Sequence, residues 1–243
     1  MNCPNAIRID SKKETAMNCF ALLVAAMMVQ ATAAPVFCGE PKDALAQEFL
    51  ETKSKAEAGD VDAQYKLAAL HKAGKGTAKN AVEAVKWYRR VAAQNDARGQ
   101  SMLGVMYTNA SGVKRDYDQA IIWFRKAAAQ NSAHAKYNLG YMYAVGKGVT
   151  QNQVQATAWY RQAAEQNDAG SQRILGSRYA SGRGVDKDLV QAHAWTQVVL
   201  QRGGAAAKKQ LLAIESKMTP AQIAAANKVA KAISAKLAKL EKK

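Results

Sequence analysis

Residues 111–114 read Ser-Gly-Val-Lys, an S-x-x-K spacing. A lysine amine one helical turn from a serine can take up the hydroxyl proton and activate it as a nucleophile, as in penicillin-recognising hydrolases. That device needs the serine at a helix start, inside a cleft, with partner motifs around it. No partner motif accompanies this one, and three other loops carry Lys75, Lys147 or Arg183 where Ser111 stands. Asn109-Ala110-Ser111 is also a glycosylation sequon, relevant only in a eukaryotic secretory route. His71, His134 and His193 are scattered and have no metal-site spacing. His193, two residues before Trp195, reads as a helix-face residue, since no Cys or Ser nucleophile is matched to it. Cys3, Cys19 and Cys38 all fall in the first forty residues, without a C-x-x-C pair. The expectation is no catalytic residue, no cofactor and no metal. A hydrolase built on Ser111 is kept only as the last alternative.

The elements that would position any site come from a repeated phrase. "AVKWYRRVAAQND" at 84 returns as "AIIWFRKAAAQNS" at 120, "ATAWYRQAAEQND" at 156 and "AHAWTQVVLQRGG" at 192, a constant step of 36. The four tryptophans, Trp87, Trp123, Trp159 and Trp195, share one column. Gly76, Gly112, Gly148 and Gly184 share another, and Leu67, Leu103, Leu139 and Leu175 a third. Self-similarity at this period marks stacked repeats. Each unit holds two helices. The first, helix A, begins after Asp60, Asp96, Ser132 or Asp168, whose side chains can accept from orphan N–H groups of a first turn. The second, helix B, begins after Asn80, Asp116, Asn152 or Asp188. Glu83, Gln119, Gln155 and Gln191 follow three residues on, the spacing of a capping box. Asn95, Asn131, Asn167 and Gly203 tolerate the left-handed geometry that ends helix B. Ala120, Trp123, Phe124 and Ala127 lie on one stripe and should be buried. Gly104, Gly140 and Gly176 on helix A imply a close helix approach.

The phrase "AKYNLGYMYAVGKGVTQNQVQATAWYRQAAEQND" (135–168) resembles the Sel-one-like repeat family, relatives of the tetratricopeptide repeats. The resemblance spans about 60 to 203. Departures are Ala68 and His71 in the first unit, Ala110 in the second, and Thr196 with "VVL" in the fourth. It implies an all-α, right-handed superhelical solenoid of four 36-residue helix–turn–helix repeats (60–95, 96–131, 132–167, 168–203) with helical caps. It also implies a scaffold for protein complexes and no catalytic residues.

The ends differ in kind. A basic stretch (Arg8, Lys12, Lys13), the apolar run "FALLVAAMMV" and small residues up to Ala33 have the layout of a secretory signal, 1–33, cut near Ala33/Ala34. The run is too short to span a bilayer, and the chain is expected to be periplasmic or secreted. Met17 directly before it is a second candidate start. Segment 34–59 reads as a front cap resembling a degenerate helix B. Residues 204–243 read as two basic capping helices, the second opened by Thr219, Pro220 and Gln222. Ile223, Val229, Ile233, Leu237 and Leu240 fall on one face of that helix, opposite Lys228, Lys231, Lys239 and Lys242.

The net charge of +16 favours acidic partners of any kind. The second face of helix A has columns that vary from unit to unit, unlike the packing columns. In a curved stack this face lines the concave groove. Tyr and Arg are common binding anchors, so Tyr65, Arg98, His134, Tyr137, Tyr141 and Arg173 are the expected contacts with a protein partner. An alternative is an anionic membrane surface met by the C-terminal lysines. Nucleic acid is not expected, because no aromatics interleave those lysines, and neither is a small-molecule substrate.

Overall fold

The computed structural model describes residues 41–240, so the signal segment, its cleavage point, the three cysteines and Lys242 lie outside the described residues. Residues from Pro41 onward form one compact unit. The described residues contain eleven helices and no strand. They are α1 (Pro41–Glu57), α2 (Val61–Ala73), α3 (Ala81–Ala93), α4 (Ala97–Asn109), α5 (Tyr117–Ala129), α6 (Ala133–Val145), α7 (Gln153–Ala164), α8 (Ala169–Ser181), α9 (Leu189–Gln201), α10 (Ala207–Glu215) and α11 (Pro220–Leu240). Helices α2, α4, α6 and α8 are the A helices; α3, α5, α7 and α9 are the B helices. Helices α1 to α10 pack chiefly on their chain neighbours and α11 packs on α9, giving an all-α repeat solenoid.

Capping explains where the helices start. The side chains of Asp60, Asp96, Ser132 and Asp168 accept backbone N–H bonds at the starts of the A helices. Asn80, Asp116, Asn152 and Asp188 accept from Glu83, Gln119, Gln155 and Gln191 in the B helices. The reciprocal half of the box takes another form. The backbone N–H of each B cap donates to a carbonyl near the end of helix A: His71, Tyr107, Tyr143 or Tyr179. The box is complete only at α11, where Thr219 and Gln222 bond each other's backbone N–H. Asn95, Asn131 and Asn167 close the B helices with φ of 60°, 68° and 74°.

The repeat period is locked by one glycine per loop. A Cβ on Gly112 would lie 2.2 Å from the Ala81 carbonyl oxygen, and one on Gly148 2.7 Å from that of Tyr117. Gly184 meets Gln153 at 2.1 Å and Gly76 meets Leu45 at 2.2 Å, the same place one unit earlier each time. Helix α1 therefore presents to the first unit the backbone that each B helix presents to the next. The loop glycine two residues earlier is less confined: a Cβ on Gly146 would come no closer than 3.2 Å, to the Gln151 side chain. This is why Ala110 can occupy that place, left-handed at φ 54°.

Leu67, Leu103, Leu139 and Leu175 are fully buried, each stabilising by roughly 1.5–3 kcal/mol. The glycines of helix A admit helix-B side chains. A Cβ on Gly104 would overlap the Phe124 ring at 2.5 Å, and one on Gly140 the Tyr160 ring at 2.8 Å. The tryptophan column is less uniform than its spacing suggests. Trp87 and Trp195 are buried, whereas Trp123 and Trp159 are only partly buried against the core, so the expected stripe on α5 is fully buried only at Ala120, Phe124 and Ala127.

The C-terminal helices close the stack. Ala194 and Val198 of α9 meet Ala230 and Leu237 of α11, and Ile233 packs beside Trp195. The apolar departures of the fourth unit are thus the seat of the cap. Helix α10 has no side-chain cap at Ala206. His193 is fully buried instead of lying on an open helix face, and its Nε2 lies 2.9 Å from Glu215 Oε1 of α10.

Candidate partner-binding face

The six expected contact residues lie on the four A helices, in separate clusters and not in one site. At the junction of the first two units, Arg98 reaches back to Asp62 at 2.6 Å and to its own helix cap, Asp96, at 2.7 Å. Its guanidinium also lies 5.2 Å from the centre of the Tyr65 ring. The two carboxylates raise its already high pKa further, Asp96 contributing more than Asp62. The one cation of this cluster is thus matched from within by two carboxylates.

At the next junction Ser101 Oγ meets His134 Nδ1 at 2.7 Å. Desolvation lowers the His134 pKa, against the opposing pull of the Asp168 charge. Tyr137 stacks edge-on against Tyr160, with centroids 5.8 Å apart. Burial pushes the Tyr160 hydroxyl up to about 12. Tyr141 stays exposed and accepts a 3.1 Å hydrogen bond from Lys147 Nζ. Arg173 is exposed on α8.

Tyr137 and Tyr141 line a cleft of about 350 Å³ with Val105, Thr108 and Asn109 of α4, Arg115, Tyr117, Asn138 and Lys147. Lys147 Nζ lies 5.3 Å from the Tyr141 ring centre and 5.5 Å from that of Tyr117. The hydrogen bond to Tyr141, then the surrounding phenol groups, raise its pKa. Arg115, Tyr117 and Lys147 were not among the expected contacts. The column comparison holds the signal for Tyr117, which stands where other units have Ala81, Gln153 and Leu189.

Two further sets of polar residues serve the stack itself. Arg89, Arg125 and Arg161 on the B helices donate to Tyr107, Tyr143 and Tyr179 of the next unit at 3.2, 3.0 and 3.0 Å. Gln94 donates to Gln64 and Gln130 to Gln100 within a unit, while Gln130 to Asn95 and Arg202 to Asn167 tie one unit to the unit before it. The glutamine and asparagine ending each "AAQN" phrase are thus ties as well as helix ends.

Other readings find less geometry. Ser111 and Lys114 lie in the turn after α4, not at a helix start; the following helix begins at Tyr117. Among the described residues no group of three or more His, Cys, Asp or Glu is placed to share a metal ion. No described helix is long and apolar enough to cross a membrane. Lys228, Lys231 and Lys239 are exposed on α11, but that helix lays its apolar face on α9.

A profile of the Sel1 repeat matches residues 61–96, 97–132, 133–168 and 169–197. A Sel1 repeat protein of Oxalobacter formigenes of solved structure is 30% identical, over 76% of this chain and 78% of its own, with a TM-score of 0.66. A protective antigen present in uropathogenic Escherichia coli strains, displaying the same repeat fold, is 28% identical over 81% of this chain, with a TM-score of 0.52. This chain spans about half of that antigen, 51% of its length. An immunity protein of Pseudomonas aeruginosa, 22% identical over 93% of this chain and 82% of its own, is alike in fold at a TM-score of 0.51. No curated protein sequence matches the chain significantly. With four consecutive units matched over more than half of its length, the chain belongs to the Sel1 repeat family.

Proposed function

We propose that the chain is a protein-interaction scaffold of a bacterial envelope or secreted compartment, binding its partner along the concave face of the A helices. Sel1 repeats commonly mediate protein–protein interaction and are typically non-enzymatic, which supports the general class. The observation that carries the specific reading is the clustering of Tyr137 and Tyr141 at one junction. Tyr141 stands where the other units have Ala69, Val105 and Ser177, so repeat packing does not require an aromatic there. It is an exposed aromatic on a rigid helix, and such a surface loses little ordering entropy on binding. Tyr65, Arg98, His134 and Arg173 extend the same face.

A photo-crosslinking residue at Tyr141 tests this against one at Val154, which is 67% exposed on helix α7. Adducts in the native compartment from position 141 and none from 154 support the reading. Equal adducts from both, or adducts from 154 alone, end it. The compartment is tested separately: the mature N-terminus should be Ala34, exported from the cytoplasm. A second reading has Lys228, Lys231 and Lys239 contact an anionic membrane surface. With its apolar face on α9, helix α11 can offer lipid only electrostatic contact. Deleting residues 219–243 should then release the protein from anionic vesicles at physiological salt.

A further inference from the structure

The cleft between the second and third units has a chemistry of its own. Its charged lining residues are Arg115 and Lys147; no carboxylate lines it. Neither cation has a carboxylate partner among the described residues. Lys147 spends one bond on the Tyr141 hydroxyl and leaves two ammonium donors. The setting is one-sided over a longer stretch: from Arg98 to Arg161 there are eight Lys or Arg side chains against only Asp116 and Asp118. Asp116 is engaged in capping α5. The matching cation at the first junction, Arg98, is neutralised by Asp62 and Asp96.

Resting on the proposed protein-binding role of this face, we infer that this cleft receives an acidic peptide segment of the partner, a Glu or Asp beside an apolar or aromatic residue. The carboxylate pairs with Lys147 and Arg115. The neighbouring side chain packs on Val105 and the rim of Tyr137. Charge complementarity selects this occupant, since an anion meets two unpaired cations on a protein face short of acids. The aromatic rings argue against nucleic acid. Lys147 lies over Tyr117 and Tyr141, so those faces are not open for a base to stack on.

The test is fluorescence anisotropy on the folded full chain. The probe is a labelled pool of short peptides with Glu or Asp next to Phe, Leu or Val, and its counterpart with Gln and Asn. The acidic pool should bind and the neutral pool should not. Kd should rise about fivefold in Lys147→Met and again in Arg115→Gln, the value of a half-exposed ion pair. Lys228→Ala with Lys231→Ala should bind unchanged. Both cleft cations lie in loops, and thermal melts confirm that the variants fold. Equal binding of both pools, or no loss in the folded variants, overturns the inference. So does equal displacement of the pool by inorganic phosphate or by phosphatidylglycerol vesicles, which would make the cleft a general anion site. If Tyr141 crosslinks to the partner but Lys147→Met leaves that adduct intact, the acidic-peptide inference fails while the binding face stands. If Tyr141 gives no adduct, the face itself fails.

Discussion

Two junctions on the same face of the stack are built from the same backbone and behave differently. Between the first and second units, a cation, two carboxylates and a tyrosine satisfy one another. Between the second and third, two cations and three tyrosines line a cleft without a carboxylate. A repeat fold fixes where side chains are displayed, and the variable columns decide what is displayed. The first junction has spent its charge on cohesion. The second leaves its two cations without a carboxylate, and on the proposed reading they meet an acidic partner.

The largest predicted effect removes the second junction altogether. Gly148→Ala forces a Cβ against the Tyr117 carbonyl in a left-handed conformation. Unfolding free energy should fall by about 3 kcal/mol, overpacking added to backbone strain, and binding should fall with it. Gly146→Ala, two residues earlier and no closer than 3.2 Å to the Gln151 side chain, should cost only about 1 kcal/mol, and Ala110→Gly should return a similar amount. Equal losses at 146 and 148, by denaturant titration, would refute the backbone-contact explanation of the repeat period.

The next effect contrasts the two junctions in binding. Tyr141→Ala should weaken the acidic peptide pool about tenfold, as a central aromatic anchor does. Tyr65→Ala should leave it unchanged. A smaller effect sharpens the electrostatic contrast. Asp62→Asn should change stability by less than about 0.5 kcal/mol, because the pair is exposed, while making the first junction more attractive to the pool.

The smallest effect is on pH. Burial lowers the pKa of His71 and His134 below the ordinary 6.5. Just below pH 6.5 the unfolded chain then binds more protons than the folded one, so stability falls as pH drops through that window and is retained above it. His134→Gln should flatten part of the fall, seen in thermal melts between pH 7 and 5. A steeper fall in the variant would contradict the assignment.

Much of the architecture can be read from residues because each packing demand is written four times. The leucines, the loop glycines and the eight helix caps recur at one step, and their structural roles match. What cannot be read this way depends on partners distant in sequence. Arg89 to Tyr107 is a tie between units, yet each residue alone looks like a surface or rim position. His193 reads as helix face until α10 folds over it and brings Glu215. Arg178 falls in a column otherwise holding Leu70, Met106 and Met142, yet is equally buried, donating to Gln153, Thr157 and the Arg183 carbonyl. Of the candidate face, Tyr137 and Tyr141 stand in columns that vary from unit to unit, which is their signal in the sequence. Arg115 and Lys147 sit in loops where cations are common, and only the fold places them beside those rings.

Hydrogen–deuterium exchange of the full chain, with and without the acidic peptide pool, tests the contrast between junctions most directly. Added peptide should slow exchange in 105–117 and 137–147 and leave 62–72 and 220–240 unchanged. Slowing confined to the first junction or to α11, with none at 137–147, would contradict the account.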